Sequence, residues 1–311
     1  MRHISDEMID GVLGAADAQQ VLTDAFTRFG QGRAAMQPRM RTEAGGTKLS
    51  TLGAVIPDQG VAGAKVYTTI DGQFNFVILL FSSVDGRPLA SFDAAAITRL
   101  RTAASSVIAS RHLARPGSKR LALFGAGTQG WAHAVQLAAA YQLDEIRVCD
   151  PFARAGLADE LQRACGVAVR HCSAAAALDG ADIVVTASRS KTALFSGDQL
   201  APGSFVAAVG SSLPHTRELD DRALQRASIV ALDWAEQTTR EAGDLVLADP
   251  AVLPAGKLVD LSDLLTGRAA GRQNDDEITI YKSVGVGLQD VALAGLAWQR
   301  LSADARQASP A

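Results

Sequence analysis

The sequence is poor in cysteine. Three cysteines, Cys149, Cys165 and Cys172, occur among 311 residues, and their spacing matches neither a Cys-x-x-Cys pair nor a disulfide framework. His171 and Cys172 are neighbours, but no further cluster of metal ligands accompanies them. We therefore expect no metal site and no disulfide-stapled domain, and a reducing compartment suits the chain.

Long apolar runs and a surplus of basic residues are also missing. Residues 1–7 lack the apolar core of a secretory signal, and no run is long enough to cross a membrane. The 30 Lys and Arg residues oppose 33 Asp and Glu, so nothing marks a nucleic-acid or anionic-membrane surface. We predict a cytoplasmic protein that has neither nucleic acid nor membrane as a partner.

What the chain does have is enough apolar residues, 48%, for a large core, and its length indicates about two domains. Up to residue 115, a helix over 17–29, strands over 63–70 and 74–81, and a long helix ending at Leu113 are expected. After a break at Arg115–Ser118, short apolar strands alternate with helices, which is typical of a parallel sheet covered on both faces.

The predicted fold is therefore α/β. Residues 116–283 form a Rossmann-type doubly wound parallel sheet. Residues 1–115 form a smaller α+β lobe for substrate binding and dimerisation, and residues 284–311 pack back on it as a final helix.

A glycine-rich turn follows the first strand of the second region. The strand Arg120–Phe124 leads directly into Gly125-Ala126-Gly127-Thr128-Gln129-Gly130, and a helix opens there. Gly125 permits the tight turn, Gly127 lets the backbone approach a pyrophosphate, and Gly130 lets helix and strand pack closely. The helix N-terminus offers N–H groups and a positive dipole end to the phosphates, so the turn predicts a dinucleotide site.

Asp150 ends the next strand, 20 residues after Gly130. A carboxylate there can accept hydrogen bonds from ribose hydroxyls and repels a 2′-phosphate, so NAD(H) is favoured. Arg154 is close enough in sequence to keep NADP(H) possible.

Segments spread over nearly the whole chain, in order and at similar spacing, resemble the ornithine cyclodeaminase/mu-crystallin family. Besides the glycine-rich turn, they are Arg41-Thr42 with Ile56-Pro57, Ala64-Lys65-Val66, Ile97–Ala104, Ala208–Ser212, Arg217–Asp220, and Lys282–Gly285 followed by Asp290.

This resemblance implies a homodimer that binds a small amino or imino acid beside the nicotinamide, in a cleft between the lobes. It implies that Arg41, Lys65 and Arg101 hold the substrate carboxylate, with Arg39 as a rival to Arg41. It also implies that Thr102 lies near the cofactor phosphates, and we add further predicted cofactor contacts at Thr186, Val209 and Ser283.

Elementary chemistry supports these basic residues. Arg101 lies in an apolar helix segment, which is a poor place for an unpaired charge, and Lys65 interrupts a strand. Two arginines can fork onto one carboxylate, and a lysine beside them has its pKa lowered toward neutrality, which suits proton transfer. The alternative, that these are surface charges of amphipathic elements, stays open.

The sequence departs from the cyclodeaminases at two places. The family resemblance puts an acidic residue of those enzymes where Ser212 stands, and a glutamate where Ala54 stands. A serine at this place resembles mu-crystallin and the imine reductases. We therefore predict NAD(P)H-dependent reduction of a cyclic imino acid, Δ1-pyrroline-2-carboxylate or Δ1-piperideine-2-carboxylate, to proline or pipecolate. Lys65 supplies the proton and Ser212 orients the ring nitrogen or a water.

Three alternatives remain. Ornithine cyclodeaminase, which forms proline and ammonia with catalytic NAD, is possible if Glu43 or Asp58 replaces a missing acid. The others are oxidative deamination of a small amino acid such as alanine, and a non-catalytic binding protein similar to mu-crystallin. Retention of the carboxylate-binding residues argues against the last.

Overall fold

A computed structural model describes residues 1–254 and 256–307, and its internal contacts divide the chain into two units. The first unit contains residues 1–104 and the C-terminal segment from Val286, and the second contains residues 105–285. The division falls inside the helix Ala95–Leu113. This helix is continuous because it contains neither glycine nor proline. The predicted bounds 1–115 and 116–283 stay a prediction, and residues 308–311 lie outside the described residues.

The first unit is built on a seven-stranded sheet with the order β1-β7-β6-β5-β4-β2, and β3 also pairs with β4. Its strands are β1 (Arg2–Ile4), β2 (Ala35–Met36), β3 (Met40–Ala44), β4 (Thr47–Ile56), β5 (Val61–Ile70), β6 (Gln73–Ser82) and β7 (Pro88–Phe92). β1 runs parallel to β7, and the other pairs are antiparallel. The two-residue turn Asp71-Gly72 joins β5 to β6, and both residues have positive φ, as a hairpin of the type I′ kind requires.

The helices of this unit are α1 (Asp6–Val12), α2 (Ala15–Gly30), the first part of α3 (Ala95–Leu113), and the C-terminal helix, Gly287–Gln307. The C-terminal helix packs on β4, β5 and α2, so residues distant in sequence share one core.

The second unit is built on an eight-stranded parallel sheet with the order β10-β9-β8-β11-β12-β15-β13-β14. Its strands are β8 (Arg120–Phe124), β9 (Glu145–Cys149), β10 (Ala168–His171), β11 (Ile183–Thr186), β12 (Phe205–Ala208), β13 (Ala227–Leu232), β14 (Leu258–Asp260) and β15 (Ile278–Lys282). Its helices are α4 (Thr128–Tyr141), α5 (Leu157–Cys165), α6 (Ala174–Leu178), α7 (Asp221–Arg226), α8 (Ala235–Glu241), α9 (Gly243–Val246) and α10 (Leu261–Leu265), and the C-terminal helix is α11. Short 3₁₀ turns occupy Pro57–Gln59, Gly197–Gln199 and Pro250–Val252.

This architecture confirms the predicted α/β fold with its doubly wound parallel sheet. The chain steps outward from β8 through β9 to β10, and then returns to β11 on the other side of β8. Ligands bind at such a switch point, at the carboxyl ends of the strands. The strand β15, which lies buried between β12 and β13, was not predicted from the sequence. In the described ranges, every helix lacks the length or the hydropathy needed to span a bilayer.

Candidate functional site

A cleft of about 1140 Å³ opens in the second unit at the carboxyl ends of β8, β9 and β11. This volume suits a cofactor-sized ligand. Its lining includes the turn residues Gly125, Gly127 and Thr128, the strand-end residues Asp150, Phe152, His171 and Cys172, and the segment Ala187–Ser190.

The glycine-rich turn has the geometry that its sequence predicts. Gly125 has φ of +85°, and a Cβ there would lie 2.8 Å from the carbonyl oxygen of Ala187. A Cβ on Gly130 would overlap the carbonyl oxygen of Gly125, so the start of α4 can pack this closely only on glycine. Gly127 caps α4 without a side-chain bond, and a Cβ on Gly127 would meet no atom within 4 Å outside the adjoining backbone. The first turn of α4 is therefore open to a phosphate.

Asp150 is tied to the same turn. Its Oδ2 accepts the N–H of Ala126 at 2.8 Å, and its Oδ1 accepts the N–H of Phe152 at 2.9 Å. A carboxylate can accept about four hydrogen bonds, so these two leave capacity for ribose hydroxyls. The residues of the cleft thus fit a nicotinamide dinucleotide.

Two residues near Asp150 were given no cofactor role from sequence. Phe152 is 92% exposed and lines the cleft, and His171 lies 2.8 Å from the carbonyl oxygen of Asp150 through Nε2. An aromatic residue two positions after a strand-end acid is the signal that could have found Phe152. Arg154, in contrast, forms an exposed ion pair with Glu160 on α5.

The other predicted cofactor residues of this unit lie deeper. The Thr186 hydroxyl donates to Glu218 at 2.9 Å, and the Ser283 hydroxyl donates to Asp233 at 2.9 Å. The N–H of Val209 donates to the carbonyl of Thr186 at 2.9 Å. Their contacts with a cofactor stay a prediction.

Gln129 and Ser212 complete the predicted set in this unit. Gln129 is half-buried in the first turn of α4, and its carbonyl lies 2.7 Å from Nδ1 of His133. Ser212 is half-buried and directly follows Ser211, whose N–H donates to Glu218 at 3.1 Å.

The first unit holds a second group of functional residues, the charge cluster of Lys65, Arg101 and Asp290. Lys65 on β5 and Arg101 on α3 are 3% and 7% exposed, and Asp290 on α11 is fully buried. Lys65 Nζ lies 3.2 Å from Asp290 Oδ1, and Arg101 Nε lies 3.6 Å from the same oxygen. Lys65 and Arg101 are therefore buried as predicted, rather than surface charges.

Polar neighbours hold both basic side chains. Lys65 Nζ donates to the hydroxyl of Thr98 at 2.6 Å, and Arg101 Nη1 donates to Gln289 Oε1 at 2.8 Å. The ring of Phe76 lies 4.6 Å from Lys65 Nζ, in the range of a cation–π contact.

Burial lowers the pKa of Lys65 to about 8. The positive charges of Arg101 and Arg39 lower this pKa as well, whereas the Asp290 carboxylate raises it. Near neutral pH the ammonium is thus the main form, but it gives up its proton readily.

Arg41 and Arg39 both remain candidates for the arginine of the β3 region that is predicted to bind the substrate carboxylate. Arg41 is half-buried on β3 and pairs in register with Ser50. Arg39 is half-buried just before β3, and its charge acts on Lys65. The Thr102 hydroxyl donates to the carbonyl of Thr98 at 2.7 Å, within α3.

Asp290 and Gln289 were given no role from sequence. The Lys65–Asp290 pair spans 225 positions, so no local pattern connects the two. The signal that could have found Asp290 is a lone acid inside the apolar segment 284–301.

The acids weighed for cyclodeamination lie elsewhere in the first unit. Ala54 is buried on β4 opposite Gly63. Glu43 pairs with Lys48 at 3.1 Å, and Asp58 pairs with Arg33. The carboxylate that contacts Lys65 is that of Asp290.

Comparison with known proteins shows the family of the chain. Residues 5–305 match the ornithine cyclodeaminase/mu-crystallin family. A Δ1-pyrroline-2-carboxylate reductase of Bacillus thuringiensis subsp. konkukian is 32% identical over 263 residues, which cover 83% of this chain and 78% of that protein.

Two solved structures are similar over nearly their whole length. A probable ornithine cyclodeaminase from Bordetella pertussis Tohama I is 60% identical, with a TM-score of 0.96 and full coverage of both chains. An archaeal alanine dehydrogenase dimer with bound NAD is 26% identical, with a TM-score of 0.90 and coverage of 98% and 97%. As the sequence predicted, the chain belongs to the ornithine cyclodeaminase/mu-crystallin family.

Proposed function

We propose that this protein reduces a cyclic imino acid, Δ1-pyrroline-2-carboxylate or Δ1-piperideine-2-carboxylate, to proline or pipecolate with NADH. The observation that carries this proposal is the charge cluster. A buried lysine with a pKa of about 8 lies beside a buried arginine, which is the chemistry needed to hold a carboxylate and to protonate an imine. The 32% identical relative that is named as a pyrroline-2-carboxylate reductase supports it.

In this mechanism Arg101 and the arginine of the β3 region bind the substrate carboxylate, and Lys65 binds it or the ring nitrogen. The Lys65 ammonium donates its proton to the imine nitrogen, directly or through a water, which makes the adjacent carbon more electrophilic. Asp290 keeps Lys65 charged, and Ser212 orients the ring nitrogen or a water. NADH, when bound, supplies the hydride. The amine product thus gains one proton from Lys65 and one hydride, and solvent reprotonates Lys65.

The cleft of the second unit holds the cofactor in this proposal. The glycine-rich turn and the N-terminus of α4 bind the pyrophosphate, and Asp150 binds the adenosine ribose. Asp150 disfavours a 2′-phosphate, so we propose NADH in preference to NADPH. The NAD-bound alanine dehydrogenase of the same fold supports a nicotinamide cofactor.

Ornithine cyclodeamination is the second candidate, because the 60% identical structure carries that name with the word probable. This chemistry needs acid–base groups that expel ammonia after hydride and a proton leave the amino-bearing carbon. Ala54 and Ser212 stand where the family resemblance puts acids in cyclodeaminases, and this difference favours the reductase.

We further propose that the protein acts as a cytoplasmic homodimer. The face of the first unit's sheet around Val55 and Phe81, both partly exposed, carries an apolar groove of about 390 Å³. Its lining is mostly alanine, glycine and larger apolar side chains, which a second copy of this sheet can cover. The dimeric alanine dehydrogenase supports this assembly.

A paired assay on the purified protein tests the reaction. One sample holds NADH or NADPH with a cyclic imino acid, and absorbance at the reduced-nicotinamide band is followed. The other holds NAD with ornithine, and ammonia is measured. Coenzyme oxidation in the first sample alone is the expected result. Ammonia from ornithine would establish the cyclodeaminase instead.

A further inference from the structure

We infer that Glu218, a residue without a role in the proposed reaction, is a positioning residue that sets the shape of the dinucleotide cleft. Glu218 is fully buried in the loop between β12 and α7. Its carboxylate accepts five hydrogen bonds, and all of them come from residues at the carboxyl ends of β11 and β12 or directly after them.

The donors divide between the two carboxylate oxygens. Oε1 accepts the N–H and the hydroxyl of Ser188, both at 2.7 Å. Oε2 accepts the Thr186 hydroxyl at 2.9 Å, the Gly210 N–H at 2.8 Å and the Ser211 N–H at 3.1 Å. One carboxylate therefore connects the ends of the neighbouring strands β11 and β12 through hydrogen bonds.

The segment that follows β11 forms part of the cleft lining. Ala187 and Ser188 line the cleft, and the Ala187 carbonyl lies against the place of a Cβ on Gly125. A displacement of Ser188 thus changes the space beside the glycine-rich turn. Gly210 packs closely against Ser188 and the Glu218 carboxylate, since a Cβ on Gly210 would overlap both.

The backbone of Glu218 is in turn held by Asp244. Asp244 Oδ1 accepts the N–H of Glu218 at 2.7 Å and that of Leu219 at 2.9 Å. Asp244 Oδ2 forms a buried ion pair with Lys282 Nζ on β15 at 2.7 Å. A buried carboxylate is tolerated only when hydrogen bonds surround it, so these contacts fix its position.

The proposal rests on dinucleotide binding but not on the identity of the imino acid. We therefore test it by the Kd for NADH, measured by fluorescence titration of the purified protein, together with the Tm without ligand. Glu218→Gln turns one acceptor oxygen into a donor group that faces N–H and O–H donors. Thr186→Val removes one of the five hydrogen bonds and is the milder variant.

The matched control is Asp182→Asn. Asp182 directly precedes β11, at the amino ends of the strands of the same sheet. Its carboxylate accepts the N–H groups of Lys119 and Arg120 at 2.8 and 3.0 Å. This residue shares the structural role of Glu218 but lies away from the strand ends that form the cleft.

We expect Glu218→Gln to raise the Kd for NADH about tenfold and Thr186→Val to raise it about threefold, in line with the loss of charged and single hydrogen bonds. Asp182→Asn lowers the Tm with the Kd unchanged. If Glu218→Gln lowers the Tm like Asp182→Asn and leaves the Kd unchanged, the role is structural only and the inference is overturned. If Glu218→Gln does not fold, an unchanged Kd in Thr186→Val overturns it. Wild-type protein that binds NADH but reduces no imino acid would reject the proposed reaction while leaving this test intact.

Discussion

The two units differ in the charged groups that they bury beside their candidate sites. In the first unit, Lys65 and Arg101 share the carboxylate of Asp290, so the buried charge cluster carries excess positive charge. In the second unit, the buried carboxylates of Glu218 and Asp233 are surrounded by backbone and hydroxyl donors at strand ends. The first arrangement suits an anionic ligand, whereas the second stabilises the backbone around a cleft.

This contrast separates the effects that substitutions should have. Changes in the charge cluster should alter turnover and leave NADH affinity intact. Changes around the cleft should alter NADH affinity. The predictions below test this separation.

The largest effect is expected for Arg101→Ala. Loss of a buried charged contact to the substrate carboxylate should lower kcat/KM for the imino acid about a thousandfold, or about 4 kcal/mol of transition-state stabilisation. The Kd for NADH should stay within about twofold. Arg99→Ala is the control, because Arg99 lies on the same helix in an exposed pair with Asp10 and should retain activity. Turnover that survives in Arg101→Ala would show that the substrate carboxylate binds elsewhere.

Two glycine variants test the cleft. Gly127→Ala introduces a methyl group where no protein atom lies within 4 Å, so it should leave the Tm unchanged. The same methyl group blocks the approach of the pyrophosphate and should raise the Kd for NADH about a hundredfold. Gly130→Ala places its methyl group on the Gly125 carbonyl and should lower both the Tm and the affinity. Tight NADH binding by Gly127→Ala would contradict the proposed site of the pyrophosphate.

Asp290→Asn tests the electrostatics of the charge cluster. Asp290 raises the pKa of Lys65, so its loss should move this pKa further below 8. Lys65 acts as a proton donor, so kcat/KM is highest below its pKa and falls as the pH rises through it. The falling limb should therefore move down by about one pH unit, and the rate at pH 7.5 should fall several-fold. A limb that stays near pH 8 would mean that Lys65 is not the titrating donor.

Arg39→Ala and Arg41→Ala form a matched pair within the same segment. The charge of Arg39 acts on Lys65, so its loss should raise the KM for the imino acid by about tenfold and raise the pKa of Lys65. Arg41→Ala should change the KM less than Arg39→Ala. A larger rise in KM for Arg41→Ala than for Arg39→Ala would assign substrate-carboxylate binding to Arg41, as the family resemblance implied.

The sequence predicted those parts of the site whose signals are local. The glycine-rich turn, Asp150 at a strand end, and Lys65 and Arg101 inside apolar segments are each visible within a few residues. The burial of Lys65 and Arg101 and the geometry of the glycine-rich turn agree with the predictions. The partners could not be found in this way, because Asp290 meets Lys65, and Asp244 meets Lys282, only through the tertiary fold.

Hydroxyl groups show the same limit. Thr186 ends β11 and Ser283 follows β15, and their hydroxyls bind the carboxylates of Glu218 and Asp233, which are distant in sequence. Their contacts with a cofactor stay a prediction. The strand β15 was missed although its β-branched and aromatic residues favour a strand, because a polar loop before it interrupts the alternation of strands and helices. Its central place in the sheet is set by pairing with β12 and β13.

An effect on stability alone, with no change in turnover, is expected from His133 on α4. Burial lowers its pKa to about 4, and its ring lies 2.7 Å from the Gln129 carbonyl and 2.9 Å from the Ser106 hydroxyl. The neutral ring can donate to the first and accept from the second. An unfolded histidine takes up a proton near pH 6.5, whereas the folded one does so only near 4.

The contribution of His133 to stability is therefore complete above pH 6.5 and is lost as the pH falls toward 4. It amounts to about 3 kcal/mol over that window. In His133→Gln the free energy of unfolding should depend less on pH between 6.5 and 4, as measured by urea unfolding at several pH values. Equal pH dependence in the two proteins would mean that folding does not lower the pKa of His133. A change in the Kd for NADH at pH 7.5, where wild-type His133 is neutral, would instead give this helix residue a part in cofactor binding through the Gln129 carbonyl.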